Sequence, residues 1–323
     1  MIEKNVEHLM KEMKTVIGEE AFTIASSRIN SEGKNLKEFL DNYEVKNYER
    51  PSVTVDMGLF TIDTEDTDDL RRLPNKELKV LLVKRKDHPF IGSWALPGGF
   101  VRINENIEDA VNRKLKEETH IENVYFEQLY TLGEVGRDPR TRVISSAYMA
   151  LVDNKNLKPI AGDDAEDAAF FTVKKSIIDK DRYGERYSLI IENKELEIKI
   201  GYLVKDKFEK RGTTREKVTS MEPLKWSKEL LAFDHFKIIN MVLDRLKNKV
   251  VYTPIAFNLL PEKFTLTQVQ QVYELLLGKE LLKPNFRRFI KDYVVETDET
   301  ILLAGHRPSK LFKYNDEYSN ELI

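Results

Sequence analysis

At 323 residues the chain exceeds one typical domain, and its 41% hydrophobic and 33% charged content is that of a globular protein with two domains and an appendage. A net charge of −3 provides no overall basic field for nucleic acid or an anionic membrane, and the absence of cysteine excludes disulfides, thiolate metal sites and cysteine nucleophiles. No apolar run approaches the roughly 20 residues of a membrane span, and the opening "MIEKNVEHLMKEMKTV" lacks the apolar stretch of an export signal, so a cytoplasmic protein without a membrane partner is expected.

Residues 1–45 read as a polar helical extension with Leu9, Met13 and Val16 on one face. A β-rich region covers residues 46–226 and is punctuated near its start by Arg50-Pro51. "SVTVDMGLFTI" and "LKVLLVKRK" are strand candidates flanking the charged loop "DTEDTDDLRRLPNKE". A Gly-rich loop and an amphipathic helix follow in "GGFVRINENIEDAVNRKLKEETHI". Further strands are expected around "VYFEQLYTLG", "VISSAYMALV" and the end of "AGDDAEDAAFFTV". Residues 182–226 look like an insertion, with a hairpin turning at Glu192-Asn193-Lys194 and then a polar connector. After Trp226 the pattern becomes helical, which sets a second domain at residues 227–323.

Stepping 100° per residue along a helix from about Asn106 to Thr119 puts Ile107, Ala110, Val111 and Leu115 in one apolar sector. Lys114 and Glu118 fall in that sector and Glu117 at its edge, so these charges point inward. An inward carboxylate needs a cation, a donor or a metal to offset its desolvation. Arg113 stands one turn before Glu117, placed for an i,i+4 pair.

Gly99, Glu105, Arg113, Leu115, Glu117, Glu118 and Ile121 match, at full spacing, the signature of the Nudix family, and "GSWALPGGFV" upstream is similar to that family too. The resemblance implies a Nudix-like α/β/α sandwich with a mixed sheet. It also implies hydrolysis of nucleoside diphosphates linked to another group, with Mg2+ held by the helix glutamates and a loop glycine carbonyl. Carried over, Glu117 and Glu118 are metal ligands, Glu105 and Arg113 orient them, and Gly98 and Gly99 belong to the ligand loop. Two positions depart from the pattern: Lys114 stands where the family has a glutamate, and His120 where it has glycine. An ammonium about 5 Å from Mg2+ repels it by roughly 6–7 kcal/mol at an effective dielectric near 20. Lys114 and Glu118, as i,i+4 neighbours, have the spacing of a simple ion pair.

Arg137, Arg140 and Arg142 supply three cations within six residues, suited either to diphosphate oxygens or to a solvated loop. The run "EQLYT…RDPR.R" and the later "GDDA" resemble the Nudix-related transcriptional regulators of NAD metabolism and their sugar-sensing cousins. That likeness implies ADP-ribose or a related metabolite as ligand.

From Pro223 onward 15 basic residues face 13 acidic ones, which permits but does not announce DNA binding. "AFDHFKIINMVLDRLKNK" reads as a helix with Asp234 as N-cap and a stripe of Phe236, Ile239, Val242, Leu243 and Leu246. "TLTQVQQVYELLLG" opens with the capping box Thr265/Gln268 and closes at Gly278. Pro284 begins "PNFRRFIKDY", with Phe286, Phe289, Ile290 and Tyr293 inward and Asn285, Arg287, Arg288 and Lys291 on the open face. Two strands around a loop with Arg307 and Lys310 complete a winged helix-turn-helix, for which double-stranded DNA is the expected partner and a homodimer the expected assembly. "LLAFDH…YTPIAFNLLPEKFTL…NFRR…RPSKLF" is similar throughout to the C-terminal domain of the same regulators.

Two readings follow. In one, a degenerate Nudix domain senses the metabolite and controls DNA binding. In the other, the chain is an active Mg2+-dependent ADP-ribose or nucleoside-diphosphate pyrophosphatase whose winged helix only builds a dimer.

Overall fold

In the computed structural model, residues 6–44, 49–64, 75–119, 124–153, 165–302 and 308–320 are described, with the side chains of Glu118, Thr119, Ser319 and Asn320 excluded. The chain divides into two compact units, Met1–Arg50 and Pro51–Ile323. The first holds three short helices, α1 (Val6–Ile17), α2 (Glu19–Ser27) and α3 (Leu36–Asn42). Leu9 and Val16, expected on one face of the extension, are 42% and 82% exposed.

The second unit is built on one large mixed sheet. Its strands are β1 (Ser52–Thr64), β2 (Lys76–Arg85), β3 (Trp94–Ala95), β4 (Gly98–Phe100), β5 (Tyr125–Leu132), β6 (Val143–Leu151), β7 (Ala165–Lys180), β8 (Gly184–Asn193), β9 (Ile198–Arg211) and β10 (Thr214–Pro223). The order is β10-β9-β8-β7-β2-β1-β6-β5, with β3 on β2 and β4 on β1. Only the β1–β6 pairing is parallel among the described strands. β1 is buried along most of its length, polar Thr54, Asp56 and Thr61 included, as befits a central strand covered on both faces.

The helix α4 (Ile107–Thr119) packs on one face, where Ala110, Val111 and Leu115 meet Val55, Met57, Leu59 and Leu81. On the other face lies α5 (His235–Lys249), whose Ile238, Ile239, Val242 and Leu246 join the sheet core. The same core continues into α6 (Leu266–Leu277) and α7 (Lys283–Ile290) through Val269, Val272, Tyr273, Phe286 and Ile290. The strands β11 (Val294–Ile301) and β12 (Ser309–Tyr314) form the wing, and Phe264 bridges to Phe312.

Several local expectations meet their physics here. Thr265 and Gln268 make the capping box, and Gly278 closes α6 in a left-handed conformation. The hairpin of residues 182–226 forms as β8–β9, but it turns at residues 194–197, with Glu192 and Asn193 still paired in the strand rather than at the turn. The polar connector does not form: it is the end of β9 and the edge strand β10, most of whose residues are exposed, so no apolar alternation marked it. The Gly-rich "loop" is strand β4, paired antiparallel with β1. Ile107, at the first turn of α4, is 40% exposed, and Phe289 is 41% exposed rather than inward.

Candidate functional site

β4 lays Gly98 opposite Asp56 and Gly99 opposite Val55. A methyl group at Gly98 would lie 2.6 Å from the Val55 carbonyl oxygen and 2.7 Å from Asp56 Oδ1, so only glycine fits. At Gly99 it would lie 3.1 Å from Lys114 Cε, because the lysine stem runs along this stretch of backbone. Across the loop, Arg113 Nε donates to Glu105 Oε1 (2.6 Å) and Arg113 Nη2 to Glu105 Oε2 (3.0 Å) and the Phe100 carbonyl (3.3 Å). Arg113 and the Arg102 amide hold the Glu105 carboxyl down at about 2.

The expected i,i+4 bond from Arg113 to Glu117 is present at 3.4 Å, and Lys114 Nζ donates to Glu117 Oε2 at 2.8 Å. Burial pushes the Glu117 carboxyl up, but Lys114 and Arg113 pull harder and hold it below its ordinary range. Lys114 itself is only 6% exposed. A divalent ion does not fit beside Glu117, since a buried ammonium already takes one of its oxygens and the aliphatic stem covers the adjacent glycine. Among the described residues no three acid or histidine side chains gather as a metal site. The Glu118 side chain, His120 and Ile121 lie outside the described residues.

Gly98, Gly99, Lys114, Arg137 and Arg140 share one cleft of about 260 Å³, which also takes in Thr54, Asp56, Arg85, Phe100, Phe233 and His235. Arg142 is exposed, bonded to the Glu134 carbonyl, and does not line it. Arg137 is not a free cation. Its Nη2 donates to Asp56 Oδ2 (3.0 Å) and Asp234 Oδ1 (2.7 Å), and its Nε to Asp234 Oδ2 (3.1 Å); its side chain is 4% exposed. Asp234, expected to cap α5, makes no side-chain cap hydrogen bond because its carboxylate goes to Arg137. Ser145 Oγ donates to Asp56 Oδ2 at 2.6 Å. The Leu96 amide donates to His235 Nδ1 (2.8 Å), which leaves the ring proton on Nε2, 3.5 Å from Asp56 Oδ1. Burial pushes the Asp56 carboxyl up, yet His235, Arg137 and Ser145 together hold it well below the carboxylate range.

At the cleft mouth, Arg140 chelates Asp138 (2.7 and 3.0 Å) and lies over the Phe100 ring at 5.3 Å. Phe233 stands between Arg85 (5.1 Å) and Arg140 (5.9 Å), edge-on to Phe90. Its backbone has φ +53°, a conformation that costs a bulky residue about 1–3 kcal/mol. Asp56, Phe233 and His235 were missed in reading the sequence. The one local signal was a lone aspartate inside the apolar "SVTVDMGLFTI".

The second candidate surface is α7. Asn285, Arg287, Arg288 and Lys291 are all exposed as expected, above a floor of Phe286 and Ile290, and Arg288 Nη2 donates to Asn285 Oδ1 at 2.9 Å. Lys310 pairs with Glu296 across the wing, which tempers its charge. Arg307 lies outside the described residues.

Comparison with known proteins joins the two sites. Residues 71–191 match the NUDIX domain and residues 256–314 the NrtR DNA-binding winged helix domain. The ADPR responsive transcriptional repressor NtrR of Acinetobacter baylyi is 31% identical over 292 residues, covering 90% of this chain and 91% of that protein. This chain belongs to the NrtR family. Like the family, it carries a mixed α+β Nudix fold followed by a winged helix. The crystal structure of Shewanella oneidensis NrtR complexed with a 27mer DNA superposes with a TM-score of 0.53 at 28% identity, covering 83% of this chain and 95% of that one. The ADP-ribose pyrophosphatase of Methanocaldococcus jannaschii is 47% identical over 96 residues, 30% of this chain and 56% of the enzyme. No described helix is long and apolar enough to cross a membrane.

Proposed function

We propose that this NrtR-family chain is an ADP-ribose-responsive transcriptional regulator, and a repressor by likeness to its Acinetobacter relative. On this reading residues 46–226 sense the nucleotide and residues 227–323 bind double-stranded DNA as part of a homodimer. The observation that carries it is the dual position of Phe233–His235. Phe233 and His235 form one wall of the cleft, and His235 begins α5, whose buried face is continuous with α6 and α7. A ligand that contacts this wall differently in two states shifts the DNA-binding half by that difference in affinity. Asn285, Arg287, Arg288 and Lys291, with Arg307 and Lys310 from the wing, are the proposed DNA contacts. Gly98, Gly99 and Arg140 are the proposed nucleotide contacts, while Arg137 supports the wall from behind.

The test uses a DNA duplex selected by the protein from a random pool. Saturating ADP-ribose is expected to change its dissociation constant, read by fluorescence anisotropy, at least about fivefold. An unchanged constant, with ADP-ribose binding demonstrated by calorimetry on the same sample, sinks the regulator reading.

The 47% identity to a pyrophosphatase favours a second reading, residual hydrolysis, and the intact Glu105–Arg113 clamp agrees with it. Lys114 opposes it. Lys114→Glu removes the repulsion of a metal and restores a carboxylate, so Mg2+-dependent release of AMP and ribose 5-phosphate from ADP-ribose should rise at least about tenfold. No rise would show that Lys114 is not what limits the chemistry.

A further inference from the structure

We propose that the Lys114 ammonium is itself the cation that receives the diphosphate, so that the cleft binds its ligand without a metal ion. The proposal rests on the reading above only for the class of ligand.

Lys114 lines the cleft beside Gly98, Gly99 and Phe100, and at 6% exposure it is held rather than waving in solvent. Its stem is packed against Gly99, with Cε 3.1 Å and Cδ 3.5 Å from where a methyl group would stand. A buried charge held in one place loses little side-chain freedom when an anion arrives. The arginines of the cleft are differently committed, Arg85 through its Nε to the Pro89 carbonyl. Arg137 is bridged between Asp56 and Asp234 and cannot turn away without leaving two carboxylates buried and unpaired. Arg140 remains tied to Asp138 but lies over Phe100 on the same side of the cleft, where its outer edge supplements a phosphate contact.

The counter-ion arrangement keeps Glu117 compensated when a phosphate shares the ammonium. Glu117 already receives Arg113 Nη1 at 3.4 Å, so it keeps a cation when the Lys114 ammonium donates to a phosphate oxygen. An ammonium has three rotatable donors and holds a carboxylate and a phosphate at once without changing its place. A divalent ion in the same spot would lie against this ammonium, and the two are alternatives for one position. The substitution that spoils the metal site therefore leaves a charged recognition site in its stead.

The experiment is calorimetric titration of the full chain with ADP-ribose and, separately, with inorganic pyrophosphate, each in EDTA and in Mg2+. Wild type should bind both probes in EDTA, and Mg2+ should not tighten binding. Lys114→Met, which keeps the stem, should weaken binding about tenfold to a hundredfold, and Lys114→Gln provides a second variant should Met misfold in a thermal melt. Lys114→Glu should bind α,β-methylene ADP-ribose only when Mg2+ is present, a change that a merely structural lysine would not produce. Affinity of both folded variants within twofold of wild type, or a wild type that requires Mg2+, overturns the proposal. Lys114-dependent binding of pyrophosphate without binding of ADP-ribose keeps the ammonium's role and removes ADP-ribose as the ligand. Failure of wild type to bind either probe overturns the ammonium's role itself.

Discussion

Arg137→Met is expected to lower the unfolding free energy by about 3–5 kcal/mol, the range for removing one partner of a buried ion pair. The guanidinium is 4% exposed and lies between Asp56 and Asp234, whose side chains are 11% and 9% exposed. Without it two carboxylates remain in the interior, Asp56 keeping His235 and Ser145 and Asp234 losing both of its bonds to the guanidinium. Methionine fills much of the vacated volume, so the loss is chiefly electrostatic. Urea denaturation at pH 7 should show the drop as a lower midpoint. The penalty should also shrink toward acid pH. In the wild type the Asp56 carboxyl is depressed, so its stabilisation is present above the ordinary carboxylate range and is lost only as pH falls through the lower folded value. The variant's stranded carboxylates take up protons sooner and are relieved. A midpoint within experimental error of wild type at pH 7 would show that Arg137 does not carry this junction.

The paired substitution Arg287→Ala with Arg288→Ala is expected to weaken DNA binding at least about a hundredfold. Each arginine contact to phosphate or a guanine edge contributes about 1–3 kcal/mol, and the proposed homodimer would lose each one twice. Both side chains are exposed and neither belongs to the apolar floor of α7, so the thermal midpoint should not move. The salt dependence of binding should flatten as well, because fewer counterions are released. Lys310→Ala should matter less, since Glu296 already pairs with that ammonium. Equal DNA affinity in wild type and the double variant would remove α7 as the recognition surface.

The candidate sites were unequally legible. The inward turn of Lys114 followed from a 100° step along α4, because which residues share a helix face depends only on neighbours within a few positions. The same is true of the Thr265/Gln268 cap and of the basic outer face of α7. Ile107 and Phe289 broke the pattern for one reason: periodicity ranks positions around a helix but not how far the neighbouring layer extends to cover them. The edge strand β10 was read as a connector because an exposed strand has no buried face to impose alternation.

The amino-acid sequence by itself determined the two-domain kind of protein this is, the glycine pair and helix that frame the cleft, the lysine that departs from the family pattern and the basic face of α7. Each is a matter of residue type at short spacing. Only the tertiary structure decided that Arg137 is buried between two carboxylates, and that α5 both walls the cleft and leads to the winged helix. The partners of Arg137 lie 81 and 97 residues away, at Asp56 and Asp234. No local pattern encodes which distant carboxylate a buried guanidinium will meet; the crossing of β1, the arginine loop and the start of α5 does.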